Sequence, residues 1–147
     1  MLETNTQAPD FTLTDDKGKQ VTLSSFIGSY VLLYFYPKDD TPGCTKEACV
    51  ITEVYDEFQK RGIVVLGISI DSPESHAEFK QKYNLPFTLL SDPEEIVINP
   101  YGAHNKIFTK RLSYLIDPKG VITKTYPSVD PATHALEIIK DYDSIIK

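Results

Sequence analysis

Only two of the 147 residues are cysteines and only three are histidines, and Lys plus Arg number 15 against 21 Asp plus Glu. Each scarcity excludes something. Two cysteines are too few for the disulfide framework of a small secreted domain. A net charge of −6 leaves no basic surface for a phosphate backbone, so no nucleic-acid partner is expected. A basic helix lying on a membrane surface is excluded on the same ground. The longest uninterrupted apolar run, Tyr30–Tyr36, is far short of the ~20 residues that span a bilayer. Residues Met1–Gln7 carry neither a basic segment nor an apolar one. No secretory signal is read there, and a cytoplasmic location is expected. Repeats, low-complexity stretches and linkers are missing too. What remains is 41% apolar and 24% charged, the composition of one soluble globular domain spanning residues 1–147.

The chain alternates strand-like and helix-like segments. Phe11–Leu13 and Val21–Leu23 flank Asp15-Asp16-Lys17-Gly18 and read as an N-terminal β-hairpin. Tyr30–Tyr36 and Ile63–Ile70 have the continuous apolar pattern of strands buried on both faces. After Pro37 comes a loop of turn formers, Lys38–Gly43. From Cys44 the spacing turns helical, with Cys44, Ala48, Ile51, Tyr55 and Phe58 on one face. This predicts one helix running to about Arg61-Gly62, with Gly62 at the C-terminal cap. Ser72-Pro73 reads as an N-cap followed by proline at the first helical position, opening a helix to about Tyr83. A short strand at Phe87–Leu90 and a short helix between Pro93 and Asn99 follow. Ser113–Ile116 and Val121–Tyr126 form a hairpin around Asp117-Pro118-Lys119-Gly120. A last helix starts at Asp130-Pro131, with Ala135, Ile138, Ile139, Tyr142 and Ile146 facing inward. The order predicts an α/β fold with a central mixed β-sheet flanked by helices and the two long strands parallel at its centre.

In such sheets the reactive site lies beyond the carboxyl ends of the central strands, where Pro37–Cys44 falls. A close cysteine pair in a reducing compartment is catalytic, redox-active or metal-binding. Two inert buried thiols are the plain alternative. Zinc needs four ligands, and His76, His104 and His134 are dispersed, so no metal is expected. Cys44 opens a helix, where unpaired first-turn amides and the helix dipole favour a thiolate. That position favours a reactive thiol. Cys49, five positions on, lies ~8–9 Å away in an intact helix by Cα separation. A disulfide needs less than about 7 Å, so bonding would require the first turns to unwind. Arg111 is by default a solvated charge, Glu47 a solvent-facing first-turn acid, and Pro37 a strand terminator. Asp39 and Asp40 read as loop solvation, Tyr34 and Tyr36 as sheet residues. His134 reads as a residue that packs or hydrogen-bonds at a helix start.

The stretch Pro37-Lys-Asp-Asp-Thr41-Pro-Gly-Cys44 resembles the Pro-x-x-x-Thr-x-x-Cys motif of the peroxiredoxins. The longer run Phe35–Cys49 is similar to the bacterioferritin-comigratory-protein, or peroxiredoxin Q, branch, which places a resolving cysteine at this offset. Arg111-Leu-Ser-Tyr-Leu-Ile-Asp117 resembles the segment bearing that family's active-site arginine. Ala8–Phe11, Ser91–Pro93, Tyr101-Gly102 and Val129–Ala135 fall in the same order. The resemblance implies a thioredoxin-like fold and a thiol peroxidase without cofactor that reduces hydrogen peroxide and organic hydroperoxides. It implies Cys44 as peroxidatic nucleophile and Cys49 as resolving thiol, joined in an intramolecular disulfide. Thr41 would hydrogen-bond thiolate and peroxide, Arg111 would hold thiolate and substrate oxygens, Glu47 would orient Arg111, and Pro37 would shield the pocket. Thioredoxin or a similar dithiol is the implied reductant, and a monomer the implied state. A protein thiol–disulfide oxidoreductase would instead carry Cys-x-x-Cys, which is absent. A non-enzymatic redox sensor would oxidise without turnover.

Overall fold

Successive residues of the strand Tyr30–Phe35 feed two separate cores. Leu32 and Tyr34, with Tyr36 just beyond, enter one; Val31, Leu33 and Phe35 enter the other. This is the period-two alternation of a strand, with no polar face because both sides are covered. The computed structural model describes residues 1–147. In chain order its elements are β1 (Thr12–Asp15), β2 (Gln20–Thr22), a 3₁₀ turn (Leu23–Phe26), β3 (Tyr30–Phe35), α1 (Pro42–Glu53), α2 (Tyr55–Lys60), β4 (Ile63–Ser69), α3 (Pro73–Tyr83), β5 (Thr88–Ser91), β6 (Leu112–Ile116), β7 (Ile122–Tyr126) and α4 (His134–Ile145).

The strands form one sheet in the order β2-β1-β5-β4-β3-β6-β7. β3 and β4 run parallel and sit near its centre, as their apolar runs predict. β4 and β5 are also parallel. The N-terminal hairpin joins the sheet through antiparallel pairing of β1 with β5, and β6 pairs antiparallel with both β3 and β7. The sheet is therefore mixed. All four α-helices contribute their buried apolar side chains to one core, among them Cys44, Ile51, Phe58, Phe79 and Ile138. The opposite face is covered by the N-terminal arm and the turns around Val97–Ala103.

Four expectations need correction. The helix expected to run on from Cys44 begins earlier, at Pro42, and breaks at Val54. The Thr52 hydroxyl donates back to the Ala48 carbonyl at 2.8 Å, a bond that bends helices, and Val54 leaves helical geometry at φ −111°, ψ 17°. The segment 93–102 is a chain of turns rather than a helix. Its path is set by Asp92, whose carboxylate accepts from the amides of Ile96, Val97 and Ile98 at 2.7–2.9 Å. The last helix starts at His134, because Asp130 first organises a turn by accepting from the amides of Ala132, Thr133 and His134. It ends at Ile145, which leaves Ile146 55% exposed rather than inward.

The sheet leaves no room at Gly67 in β4. A Cβ there would lie 2.8 Å from Tyr34 Cζ and 2.9 Å from Leu89 Cδ2. Both side chains are buried, so neither can swing aside. Gly67→Ala is expected to destabilise the fold by ~1–3 kcal/mol, the usual cost of overpacking. Urea unfolding of the reduced protein checks this; an unchanged midpoint would show that the Tyr34 ring is free to move.

Candidate active site

The site is built where β3 ends and α1 begins. Antiparallel pairing sets Phe35 opposite Leu112, so Arg111, one residue before β6, arrives beside the loop that leaves β3. Thr41 is the N-cap of α1 and Pro42 its first residue. Proline suits that position because its missing N–H has no partner to lose. The first intrahelical bond runs from the Thr45 amide to the Thr41 carbonyl at 2.8 Å. No side chain caps the helix, and the amides of Gly43 and Cys44 have no protein acceptor. They remain available to an anion at the helix start.

Cys44 is 2% exposed. Its sulfur takes a hydrogen bond from Arg111 Nη2 at 3.1 Å, while Nη1 of the same guanidinium donates to Glu47 Oε1 at 2.8 Å. Glu47 is not the solvent-facing acid that its helix position suggests: it is 1% exposed, one turn below Cys44. Burial pushes its carboxyl up to about 7, outweighing the opposite pull of Arg111. Its second oxygen, Oε2, is buried without a partner. The guanidinium is largely withdrawn from solvent, which works against its charge, yet Cys44 and Glu47 hold it more firmly protonated than usual. Gly43 allows this fit, since a Cβ there would stand 3.0 Å from Arg111 Nη2. Beneath the cluster, burial raises the Tyr34 hydroxyl far above its ordinary range, with Glu47 and Cys44 adding to the effect.

Both cysteines are free thiols on the unbroken α1, and Cys49 is partly exposed. The Thr41 hydroxyl departs from expectation: it donates to the Lys38 carbonyl at 2.9 Å rather than to the sulfur. Pro37 is half-buried at the exit of β3. The structure thus brings Cys44, Glu47 and Arg111 into direct contact, with Thr41, Pro37 and Cys49 on the adjoining loop and helix. No group of three or more His, Cys, Asp or Glu side chains is placed to hold a metal.

Two buried histidines lie nearby. His134 opens α4 as expected. It bonds Ser113 Oγ through Nε2 and Glu137 Oε1 through Nδ1, each at 2.9 Å, and burial pulls it toward the neutral form. The array has the partners of a serine triad, but Ser113 lies fully enclosed within β6, out of reach of any substrate. His76 was not picked out from the sequence, and Asp39 was read as a solvated loop residue. Instead Asp39 is 7% exposed and His76 fully buried, bonded Oδ2 to Nδ1 at 2.7 Å. Tyr36 and Ser75 hydroxyls donate to the same carboxylate at 2.6 and 2.8 Å. Partners up to 40 residues apart make this cluster, so no local pattern announces it. The one available sign was a histidine in the second turn of a helix capped by Ser72.

Residues 4–125 match the AhpC/TSA family. The putative peroxiredoxin bcp of Coxiella burnetii is 48% identical over 146 residues, 94% of this chain and 97% of that protein. The chloroplastic peroxiredoxin Q of Sedum lineare is 45% identical over 141 residues, covering 93% of this chain and 76% of the relative. Among solved structures, the bacterioferritin comigratory protein of Xanthomonas campestris, studied for alkyl peroxide reduction, superposes with TM-score 0.91 at 30% identity, covering 99% of this chain and 100% of that one. A mutant of peroxiredoxin Q from Xylella fastidiosa gives 0.93 at 25% identity, covering 100% and 99%. The mixed sheet with its helices is thus the thioredoxin-like fold of those proteins, and the chain belongs to the AhpC/TSA family, in its bacterioferritin-comigratory, peroxiredoxin Q branch of thiol-dependent peroxidases.

Proposed function

We propose that Cys44 is the peroxidatic nucleophile of a monomeric peroxidase acting on hydrogen peroxide and organic hydroperoxides. The observation that supports this best is the single guanidinium of Arg111 shared between the Cys44 sulfur, at 3.1 Å, and Glu47, at 2.8 Å. A cation at hydrogen-bond distance stabilises the thiolate, which is the attacking form. The thiolate attacks the terminal peroxide oxygen, the O–O bond breaks, and an alkoxide or hydroxide departs and takes a proton. Charge grows on that oxygen, within reach of Arg111 and the amides of Gly43 and Cys44, an oxyanion-hole arrangement. The Thr41 proton is committed to the Lys38 carbonyl, so its oxygen presents lone pairs suited to accepting from the peroxide O–H. Pro37 covers the pocket at the exit of β3.

The product at Cys44 is a sulfenic acid. Cys49 condenses with it, releasing water and forming a disulfide. With both residues on α1 their Cα atoms lie ~8–9 Å apart, so the helix start must unwind to bring the sulfurs together. A dithiol, thioredoxin or a similar protein, then reduces the bond by exchange. That requirement favours a reducing compartment such as the cytoplasm.

Peroxide consumption coupled to thioredoxin, thioredoxin reductase and NADPH tests the cycle. Cys44→Ser should abolish it. Cys49→Ser should leave one fast oxidation of Cys44 without turnover. Near wild-type reduction by Cys44→Ser would reverse the assignment.

Arg111→Lys keeps the charge but loses the planar fork, and should slow Cys44 oxidation by ~10- to 1000-fold. Gly43→Ala should slow it too, with little change in unfolding midpoint, because the new methyl displaces only the guanidinium. Unchanged second-order rates in both variants would place Arg111 outside the chemistry.

Glu47 gives a pH signature. The fold raises its carboxyl from an ordinary 4.5 to about 7, so the native state favours the protonated form. Stability from this group is complete below pH ~4.5 and is lost as pH rises through ~7. Relative to Glu47→Gln, the reduced wild-type protein should lose on the order of 3 kcal/mol across that window. Urea unfolding at several pH values measures it, and parallel curves would mean that Glu47 does not titrate there.

A further inference from the structure

The loop that carries Pro37 and Thr41 is held from below by a buried histidine. His76 is fully buried in the second turn of α3. Nδ1 faces Asp39 Oδ2 at 2.7 Å, and Nε2 faces the Leu90 carbonyl on β5 at 3.0 Å. A carboxylate and a carbonyl are both acceptors, and a neutral imidazole has one N–H to give. Against an Asp39 carboxylate, only the imidazolium makes both bonds.

The rest of the cluster suits a cation paired with an anion. Asp39 accepts from the Tyr36 hydroxyl through Oδ1 at 2.6 Å and from Ser75 Oγ through Oδ2 at 2.8 Å. The Tyr36 oxygen also lies 3.4 Å from His76 Nδ1. The Asp39 amide donates to Asp71 Oδ2 at 2.8 Å, and Asp71 also accepts from Ser69 Oγ at 2.7 Å. Thus Tyr36 just after β3, Asp71 just after β4, and Ser75 and His76 of α3 all bond one loop residue, two positions before Thr41, while the Leu90 carbonyl of β5 meets the other side of the histidine. The same helix grips the next residue: Lys82 Nζ and Tyr83 hydroxyl donate to Asp40 at 2.7 and 2.6 Å. The catalytic helix begins immediately after this double hold. Burying an ion pair in this way is costly and adds little stability by itself, so its placement beneath the reactive loop is the informative fact.

We propose that His76 is a positioning residue for the reaction at Cys44, its buried imidazolium locking Asp39 and thereby the loop that orients Thr41 and the first turn of α1. The proposal rests on Cys44 being the peroxidatic thiol. Loss of the imidazolium proton forfeits one of the two bonds, loosens the loop and slows attack on peroxide. Displacement of reacting groups by about 1 Å can cost as much as 100-fold in rate. The groups facing His76 are Asp39, Tyr36 and Ser75, with Asp71 reached through the Asp39 amide; the charges of Asp40 and Lys82 lie farther along the same contact.

The test combines spectroscopy and kinetics on the reduced full-length protein. Nitrogen-15 NMR of labelled histidine should show both His76 nitrogens protonated at neutral pH, and gives the midpoint at which one proton is lost. The second-order rate of Cys44 oxidation by hydrogen peroxide is then followed by stopped flow for wild type and His76→Gln. Wild type should be ~10- to 100-fold faster at neutral pH, and the ratio of the two rates should fall toward one through the NMR midpoint. Taking the ratio cancels titrations that both proteins share. An unprotonated ring nitrogen at neutral pH, or a folded His76→Gln with an unchanged rate, overturns the proposal. If His76→Gln does not fold, the isosteric Asp39→Asn decides in the same way, and so does a wild-type rate that ignores the NMR midpoint. Wild type whose Cys44 is not oxidised at all would instead overturn the assignment of the nucleophile, so the two failures are distinct.

Discussion

One guanidinium lies between a thiol and a carboxyl group, and much of the molecule is arranged to keep it there. Arg111 must reach both Cys44 and Glu47, which sit one helical turn apart on α1. It does so because β6 runs antiparallel to β3 with Leu112 opposite Phe35, which delivers residue 111 to the point where the chain leaves β3 for the helix. A shift of one residue in that register would turn the arginine to the other face of the sheet. Register is secured by the two cores, since Tyr34 and Phe35 belong to opposite ones and cannot exchange. The electrostatics are equally constrained. A cation with a side chain 19% exposed, paired to a carboxylate 1% exposed, is poorly hydrated, so each partner removed leaves the other uncompensated. Glu47 relieves part of this tension by titrating near neutrality.

The same helix has two incompatible duties. Its intact first turn leaves two amides without acceptors beside a sulfur that Arg111 touches, whereas the proposed Cys44–Cys49 disulfide requires that turn to open. α1 is bounded in a way that reconciles them. Upstream, Asp39 and Asp40 are tied to α3. Downstream, the helix breaks at Val54, and α2 is fixed independently by the buried Phe58 and by the bidentate Arg61–Asp143 pair at 2.8 Å. Unwinding between these limits leaves both cores' strands in place. The Val54 break therefore separates the part of the helical region that carries the chemistry from the part that holds the scaffold.

How far this was legible in the sequence follows from which interactions are local. The long strands were readable because burial on both faces forces an unbroken apolar run in each. The place of Cys44 in the first turn of a helix was readable because helix starts have a local grammar: Thr41, Pro42 and Gly43 before Cys44. The boundaries of α1 and α4 were not. The break at Val54 follows from a threonine bonding its own helix, and the late start of α4 from an aspartate that uses its carboxylate on a preceding turn. Ile146 fits the amphipathic period of α4 yet lies past its end, where periodicity has no force. Glu47 kept an ambiguous position until its partner came from the residue just before β6, 64 positions away.

The aspartates of the loop mark the limit most sharply. Asp39 and Asp40 are adjacent and chemically identical, and composition treats them alike. In the fold one is 7% exposed and accepts from a histidine, a tyrosine and a serine, while the other stays at the surface with a lysine and a tyrosine. The difference arises because the backbone at Asp40 turns into the left-handed region, φ 56°, so consecutive side chains leave the loop on opposite sides. Aspartate tolerates that conformation better than most residues. A single turn therefore sends one carboxylate into the interior and one outward, and the inward one finds its ring-nitrogen partner only because α3 presents His76 there. Polar burial of this kind depends on the convergence of separate elements, which is why it becomes readable only after the fold is known.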